Sequence, residues 1–129
     1  MQTANKFTMV SIIVSDMKKA KEFYAEKLGF AVATDYRRND NNWWVTLTFP
    51  GGGAKITLAR SSVTHNEPPK PDTISFYFST ADIAATHQVL NEKGVNPGEI
   101  RDDLYGPGSG VKFFQLKDPD GNQVTFAQE

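Results

Sequence analysis

Few side chains in this sequence are equipped for covalent or metal chemistry. The 129 residues include no cysteine and two histidines, His65 and His87. That composition removes disulfides, thiolate metal sites and thiol nucleophiles. His65 stands in a proline-rich stretch, and His87 lies four residues after Ile83 at the border of an apolar helical stripe, a surface-border position rather than a catalytic one. No Ser, His and Asp form a recognisable nucleophile arrangement, and no nucleophile elbow occurs. Asp118-Pro119-Asp120-Gly121 begins like a calcium loop but lacks the Glu that closes a full ligand series, so it reads as a tight turn. Gly51-Gly52-Gly53 and Gly106-Pro107-Gly108-Ser109-Gly110 do not stand between a strand and a helix N-terminus, the context in which glycine runs cradle phosphate. Non-covalent recognition remains. Trp44, Tyr77 and Phe113 are either core packing or a stacking wall for a flat ligand. Lys55 and Arg60, near the two ends of one strand, face either solvent or an anionic ligand group. Tyr105 lies in an irregular segment, Asp102–Gly110, that is a candidate flap.

The elements that must position these residues occur twice. Residues 7–15, FTMVSIIVS, alternate as a β-branched strand. Asp16 follows as a helix N-cap, Met17, Ala20, Phe23, Tyr24 and Leu28 recur at helical spacing, and Gly29 supplies the stop. Strands are predicted at Phe30–Arg37, Asn42–Phe49 and Ala54–Arg60. The second half repeats the order. TISFYFS, from Thr73 to Ser79, is a strand, and Asp82 starts a helix carrying Ile83, Thr86, Val89 and Leu90 that ends at Gly94. Strands then follow at Val95–Arg101, Val111–Leu116 and Gln123–Ala127. Asp16 thus matches Asp82, Met17 matches Ile83, and Phe23 matches Val89. Two βαβββ modules, residues 8–60 and 73–129, are joined by a proline-rich linker at 61–72. Neither half is large enough to close a core alone, so the two are expected to form a single domain over 1–129.

Strand alternation sorts the side chains into two sets. One is uniformly apolar: Val10, Ile12, Val14, Val45, Leu47, Phe49, Ile56, Leu58, Ile74, Phe76, Phe78, Phe114, Leu116, Val124 and Phe126. It should pack beneath the helices. The other set is half polar and half aromatic. In the first module it comprises Met9, Ser11, Ile13, Trp44, Thr46, Thr48, Lys55, Thr57 and Ala59. In the second it comprises Ser75, Tyr77, Ser79, Phe113, Gln115, Gln123, Thr125 and Ala127. Solvent-exposed sheet gives such a pattern, and so does a pocket with apolar walls and a few placed polar groups.

Composition narrows the function classes. Fourteen Lys and Arg against fifteen Asp and Glu give a net charge of −1, without the basic excess of a nucleic-acid-binding surface. No apolar stretch approaches the roughly 18–20 residues of a membrane span. The opening MQTANKF lacks a signal-peptide pattern, so a cytoplasmic protein is expected.

Two segments carry a family resemblance. Val14–Phe30, VSDMKKAKEFYAEKLGF, is similar to the first-helix signature of the vicinal oxygen chelate superfamily, which includes glyoxalase I, extradiol dioxygenases and bleomycin resistance proteins. Gly110–Gln128, GVKFFQLKDPDGNQVTFAQ, resembles its C-terminal strand–DPDGN–strand signature. The resemblance implies an α+β fold of paired βαβββ modules whose curved sheets enclose a cavity, and homodimers are frequent in the family. It also turns the mixed face into pocket lining. The implied ligand-binding residues are Met9, Ser11, Trp44, Thr46, Thr48, Lys55, Thr57, Ser75, Tyr77, Tyr105, Phe113, Gln115, Gln123 and Thr125.

Members with metal chemistry hold one divalent ion on four strands, and the matching positions here are Met9, Thr57, Ser75 and Thr125. A thioether and three neutral hydroxyls bring neither anionic charge nor imidazole to a divalent cation. No metal and no other cofactor are therefore expected. The expectation is a metal-independent binder of a small aromatic or amphipathic molecule, of a sequestration or resistance type. The alternatives are a lyase, isomerase or dioxygenase with a non-standard metal site, and metal-free chemistry through Tyr77, Lys55 or Gln115. Bleomycin itself is cationic, and a chain of charge −1 with Lys55 on this face lacks the acidic field to hold it.

Overall fold

A computed structural model describes residues 3–61 and 73–129. The predicted linker and His65 lie outside the described residues, apart from Ser61, which ends a strand. The chain divides into two compact units, Met1–Pro71 and Asp72–Glu129.

In the first unit, β1 (Met9–Ile13) leads into α1 (Met17–Lys21), and β2 (Ala31–Asn39), β3 (Asn42–Thr48) and β4 (Lys55–Ser61) follow. The sheet order is β1-β4-β3-β2, with β1 parallel to β4 and the other pairs antiparallel. The Asp16 carboxylate accepts a hydrogen bond from the Lys19 N–H at 3.1 Å, capping α1 as its residue type predicts. The predicted single α-helix through Leu28 forms only in part. After Lys21 the backbone widens into a π-helix over Glu22–Lys27, in which Leu28 N–H donates to the Phe23 carbonyl at 2.8 Å. Phe23 and Tyr24 are both buried and meet edge-to-face with ring centroids 5.1 Å apart. Gly29, at φ 77°, then ends the segment in a conformation side chains rarely adopt.

The second unit contains β5 (Ser75–Thr80), α2 (Ile83–Glu92), β6 (Phe113–Lys117) and β7 (Gln123–Gln128). Its sheet order is β5-β7-β6, with β5 parallel and β6 antiparallel to β7. Asp82 caps α2 by accepting from Ala85 N–H at 3.0 Å, as Asp16 does for α1. The predicted strand at Val95–Arg101 does not form. Asn96 sits at φ 55°, Pro97 has no N–H to give a ladder, and an isolated bridge between Arg101 and Phe113 and the Gly98 N–H bond to the Gln115 carbonyl remain.

Each unit buries its own apolar set. Ile12, Val14, Val45, Leu47, Ile56 and Leu58 are buried in the first, and Phe114, Leu116, Val124 and Phe126 in the second. Ile74 departs from the expectation: it precedes β5 and its side chain is exposed, while its N–H donates to Asn122 Oδ1. Among the described residues, no helix is long and apolar enough to cross a membrane.

Candidate functional site

The mixed faces have the same layout in both units, because the registers match. In the first, Ser11 lies beside Thr57, Thr57 opposite Thr46, and Trp44 opposite Ala59. In the second, Tyr77 lies beside Thr125, Thr125 opposite Gln115, and Phe113 opposite Ala127. A buried threonine stands at each centre: Thr57 is 5% exposed and Thr125 0%. Buried hydroxyls require partners. Thr57 Oγ1 lies 3.2 Å from Thr46 Oγ1 and 2.8 Å from Met9 Sδ. Gln115 Nε2 donates to Thr125 Oγ1 at 3.3 Å.

Around these centres the two faces differ. In the first unit, Met9, Ser11 and Lys55 are exposed, and Trp44, Thr46 and Thr48 are half-buried. Tyr36 of β2 lies directly across from Trp44, with ring centroids 5.6 Å apart and planes tilted by 37°. Tyr36 is 53% exposed, so the pair offers an open aromatic surface flanked by threonine hydroxyls. Tyr36 is not legible from the sequence: counted from the Asp40–Asn41 turn, a regular hairpin sets it opposite Val45, and the irregularity between Arg37 and Asn39 shifts it to Trp44. Arg60 pairs with Trp43 and shares its side of the sheet, so it does not share a face with Lys55.

In the second unit, Ser75 and Tyr77 are exposed, and Gln115 and Gln123 are half-buried. Phe113 is not the open wall its residue type suggested. It is 6% exposed, and the Arg101 guanidinium lies over its ring at 5.8 Å. Arg101 is held there by two bonds to the Asp103 carboxylate, at 3.1 and 2.7 Å, which raise its already high pKa further. Phe113, Gln115 and Gln123 line an open groove of about 610 Å³ together with Arg101, Glu99 and Lys117. Tyr105 is 80% exposed in the 102–110 segment, whose base is tied by Ser109 Oγ donating to the Asp102 carbonyl at 3.2 Å.

A family model described as the Glyoxalase/Bleomycin resistance protein/Dioxygenase superfamily matches residues 6–126. The chain belongs to this superfamily. It is 30% identical over 115 residues to the uncharacterized protein YetH of Bacillus subtilis, covering 88% of this chain and 89% of that one. Its fold is similar to the crystal structure of TnmS3, an antibiotic binding protein from Streptomyces sp. CB03234, with a TM-score of 0.78 and 25% identity over 99% of this chain and 98% of the other. It is also similar to a superfamily member from Sphaerobacter thermophilus, with a TM-score of 0.77 and 28% identity over 99% and 100% of the two chains.

The superfamily's metal chemistry can be tested against the residues present. The positions that the resemblance assigns in the first unit are Met9 and Thr57, and the Thr57 hydroxyl already donates to the Met9 sulfur. In the second they are Ser75 and Thr125, and the Thr125 hydroxyl already accepts from Gln115. Among the described residues, no three His, Cys, Asp or Glu side chains cluster. Thioether and hydroxyl donors without anionic charge do not fit a divalent cation.

Proposed function

We propose that this superfamily member is a metal-independent binder of a small aromatic or amphipathic molecule, acting by sequestration. The observation that carries the reading is the pairing of exposed Tyr36 with half-buried Trp44, on a face whose polar groups are hydroxyls and amides. Such a surface stacks a flat ligand and orients it with few hydrogen bonds. It offers no acid–base pair and no cation-binding donor set. The likeness to an antibiotic binding protein supports a ligand of the same broad kind. A homodimer, carried by the resemblance, and a cytoplasmic setting remain part of this reading.

A thermal-shift screen with planar and amphipathic compounds, antibiotics included, tests it. At a hundredfold excess over Kd, binding to the native state adds about 2.7 kcal/mol, a clear rise in Tm. Trp44→Ala and Tyr36→Ala should each abolish the shift while leaving the unliganded fold intact. Elemental analysis of protein purified without chelators gives the opposing result. A stoichiometric divalent metal, together with no ligand shift, would point to an enzyme of the glyoxalase class instead.

A further inference from the structure

Sulfur chemistry in this chain rests on methionine alone, since it has three methionines and no cysteine. The two described ones differ sharply. Met17, the first residue of α1, is 4% exposed, whereas Met9 is 49% exposed at the edge of the mixed face. The Met9 sulfur is also held in place, 2.8 Å from the hydroxyl of buried Thr57, which in turn meets Thr46. Side-chain flexibility normally lets an exposed thioether turn away from any particular surface. Here the hydroxyl fixes it against the centre of the face.

We infer that Met9 is an oxidative modification site that switches this face. Hydrogen peroxide transfers one oxygen to a lone pair of the Met9 sulfur. The O–O bond breaks, the thioether becomes a sulfoxide, and the peroxide is reduced to water. With no thiol in the chain to consume the oxidant, the exposed thioether is the preferred target over buried Met17. The product keeps its neighbour, because the Thr57 hydroxyl is placed to donate to the new sulfoxide oxygen. The consequence is a change of surface. A soft apolar side chain becomes a strongly polar acceptor beside Thr46 and Thr57, and an apolar ligand edge placed there must desolvate it. That consequence rests on the binding function proposed above; the site of oxidation does not.

The experiment treats the full chain with dilute hydrogen peroxide and cleaves after Lys6 and before Asp16, which separates Met9 from both Met1 and Met17 for mass analysis. The Met9 peptide should gain one oxygen about tenfold faster than the Met17 peptide. Equal rates, or Met17 first, would overturn the inference. In parallel, binding of 8-anilinonaphthalene-1-sulfonate, a flat amphipathic probe, is followed by its fluorescence. Peroxide should weaken it roughly tenfold in the native chain and leave it unchanged in Met9→Leu. Selective oxidation with unaltered probe binding would overturn the switch and leave the binding function standing. A probe that binds neither before nor after treatment, with Met9 still oxidised first, would count against the binding function while upholding the site.

Discussion

The two units share a register and differ in one strand. In the first, β2 runs nine residues along β3, with bulges between Val32 and Thr34 and between Arg37 and Asn39. In the second, the same place is taken by Val95–Arg101, which touches β6 only through Gly98 N–H to the Gln115 carbonyl at 2.8 Å and the Arg101–Phe113 bridge. The consequence for the mixed faces is direct. β2 carries exposed Tyr36 alongside half-buried Trp44, whereas the irregular segment brings Arg101 down over Phe113 and closes that ring off. Duplicated topology therefore does not mean duplicated chemistry. One unit presents an aromatic surface, and the other a polar groove.

The largest effect is expected where the turns between the last two strands differ. In the first unit the turn after β3 is closed by backbone, with Gly52 N–H donating to the Phe49 carbonyl at 3.0 Å. In the second, buried Asp118 accepts from Asp120 N–H at 3.0 Å, Asn122 N–H at 2.8 Å and Asn122 Nδ2 at 2.9 Å. Asn122 Oδ1 then accepts from Ile74 N–H at 2.9 Å, tying the start of β5 to the turn. Asp118→Ala strands these donors in a buried place and should cost about 3 kcal/mol in urea unfolding. Pro50→Ala, in the exposed turn of the first unit, should change stability by less than about 0.5 kcal/mol. Equal losses would show that the two turns do the same structural task.

A middle-sized effect probes the replaced strand itself. A Cβ added at Gly98 would lie 3.2 Å from the Gln115 carbonyl oxygen, against backbone that cannot rotate away. Gly98→Ala should therefore cost about 1 kcal/mol and speed hydrogen exchange at the Arg101 and Phe113 amides. The corresponding strand of the first unit has room. Val32→Ala, at an exposed position of β2, should stay within about 0.5 kcal/mol.

Most of this architecture was legible because it rests on local rules. The caps at Asp16 and Asp82, the stop at Gly29 and the alternation that buries Val45, Leu47, Ile56 and Leu58 all follow from residue type and spacing. The absent strand was also written in the sequence. Val95, Ile100 and Arg101 suit a strand, but Asn96-Pro97-Gly98 removes a ladder donor and reverses the backbone between them. The π-helix was not legible, since Phe23 and Tyr24 fit an ordinary helical stripe almost as well. The cover over Phe113 was least visible of all. It depends on a cation brought from another segment and pinned by Asp103, a tertiary contact that no periodicity encodes.

The smallest effect concerns how each helix grips the segment that follows it. In the second unit His87 of α2 meets the Gly98 carbonyl at 2.8 Å, an acceptor that does not titrate. In the first, Lys21 pairs with the carboxylate of Asp35, whose other oxygen accepts from Trp43 Nε1 at 2.7 Å. Lys21, helped by the Trp43 bond, holds the Asp35 carboxyl below its ordinary value of 3.8. A carboxyl that titrates lower when folded stabilises the native state above its unfolded pKa, and that contribution fades as pH falls through the folded value. Both side chains keep about a third of their surface in solvent, 37% for Lys21 and 31% for Asp35, so screening limits the gain. Asp35→Asn preserves an acceptor for Trp43 and removes only the charge. It should cost about 0.5 kcal/mol at neutral pH and low salt, less at high salt, and nothing once acid has protonated the native carboxylate. A loss that stayed constant into strong acid would mean that the Asp35 oxygens act as hydrogen-bond acceptors alone, which would make the grip in the first unit as insensitive to pH as the carbonyl of Gly98.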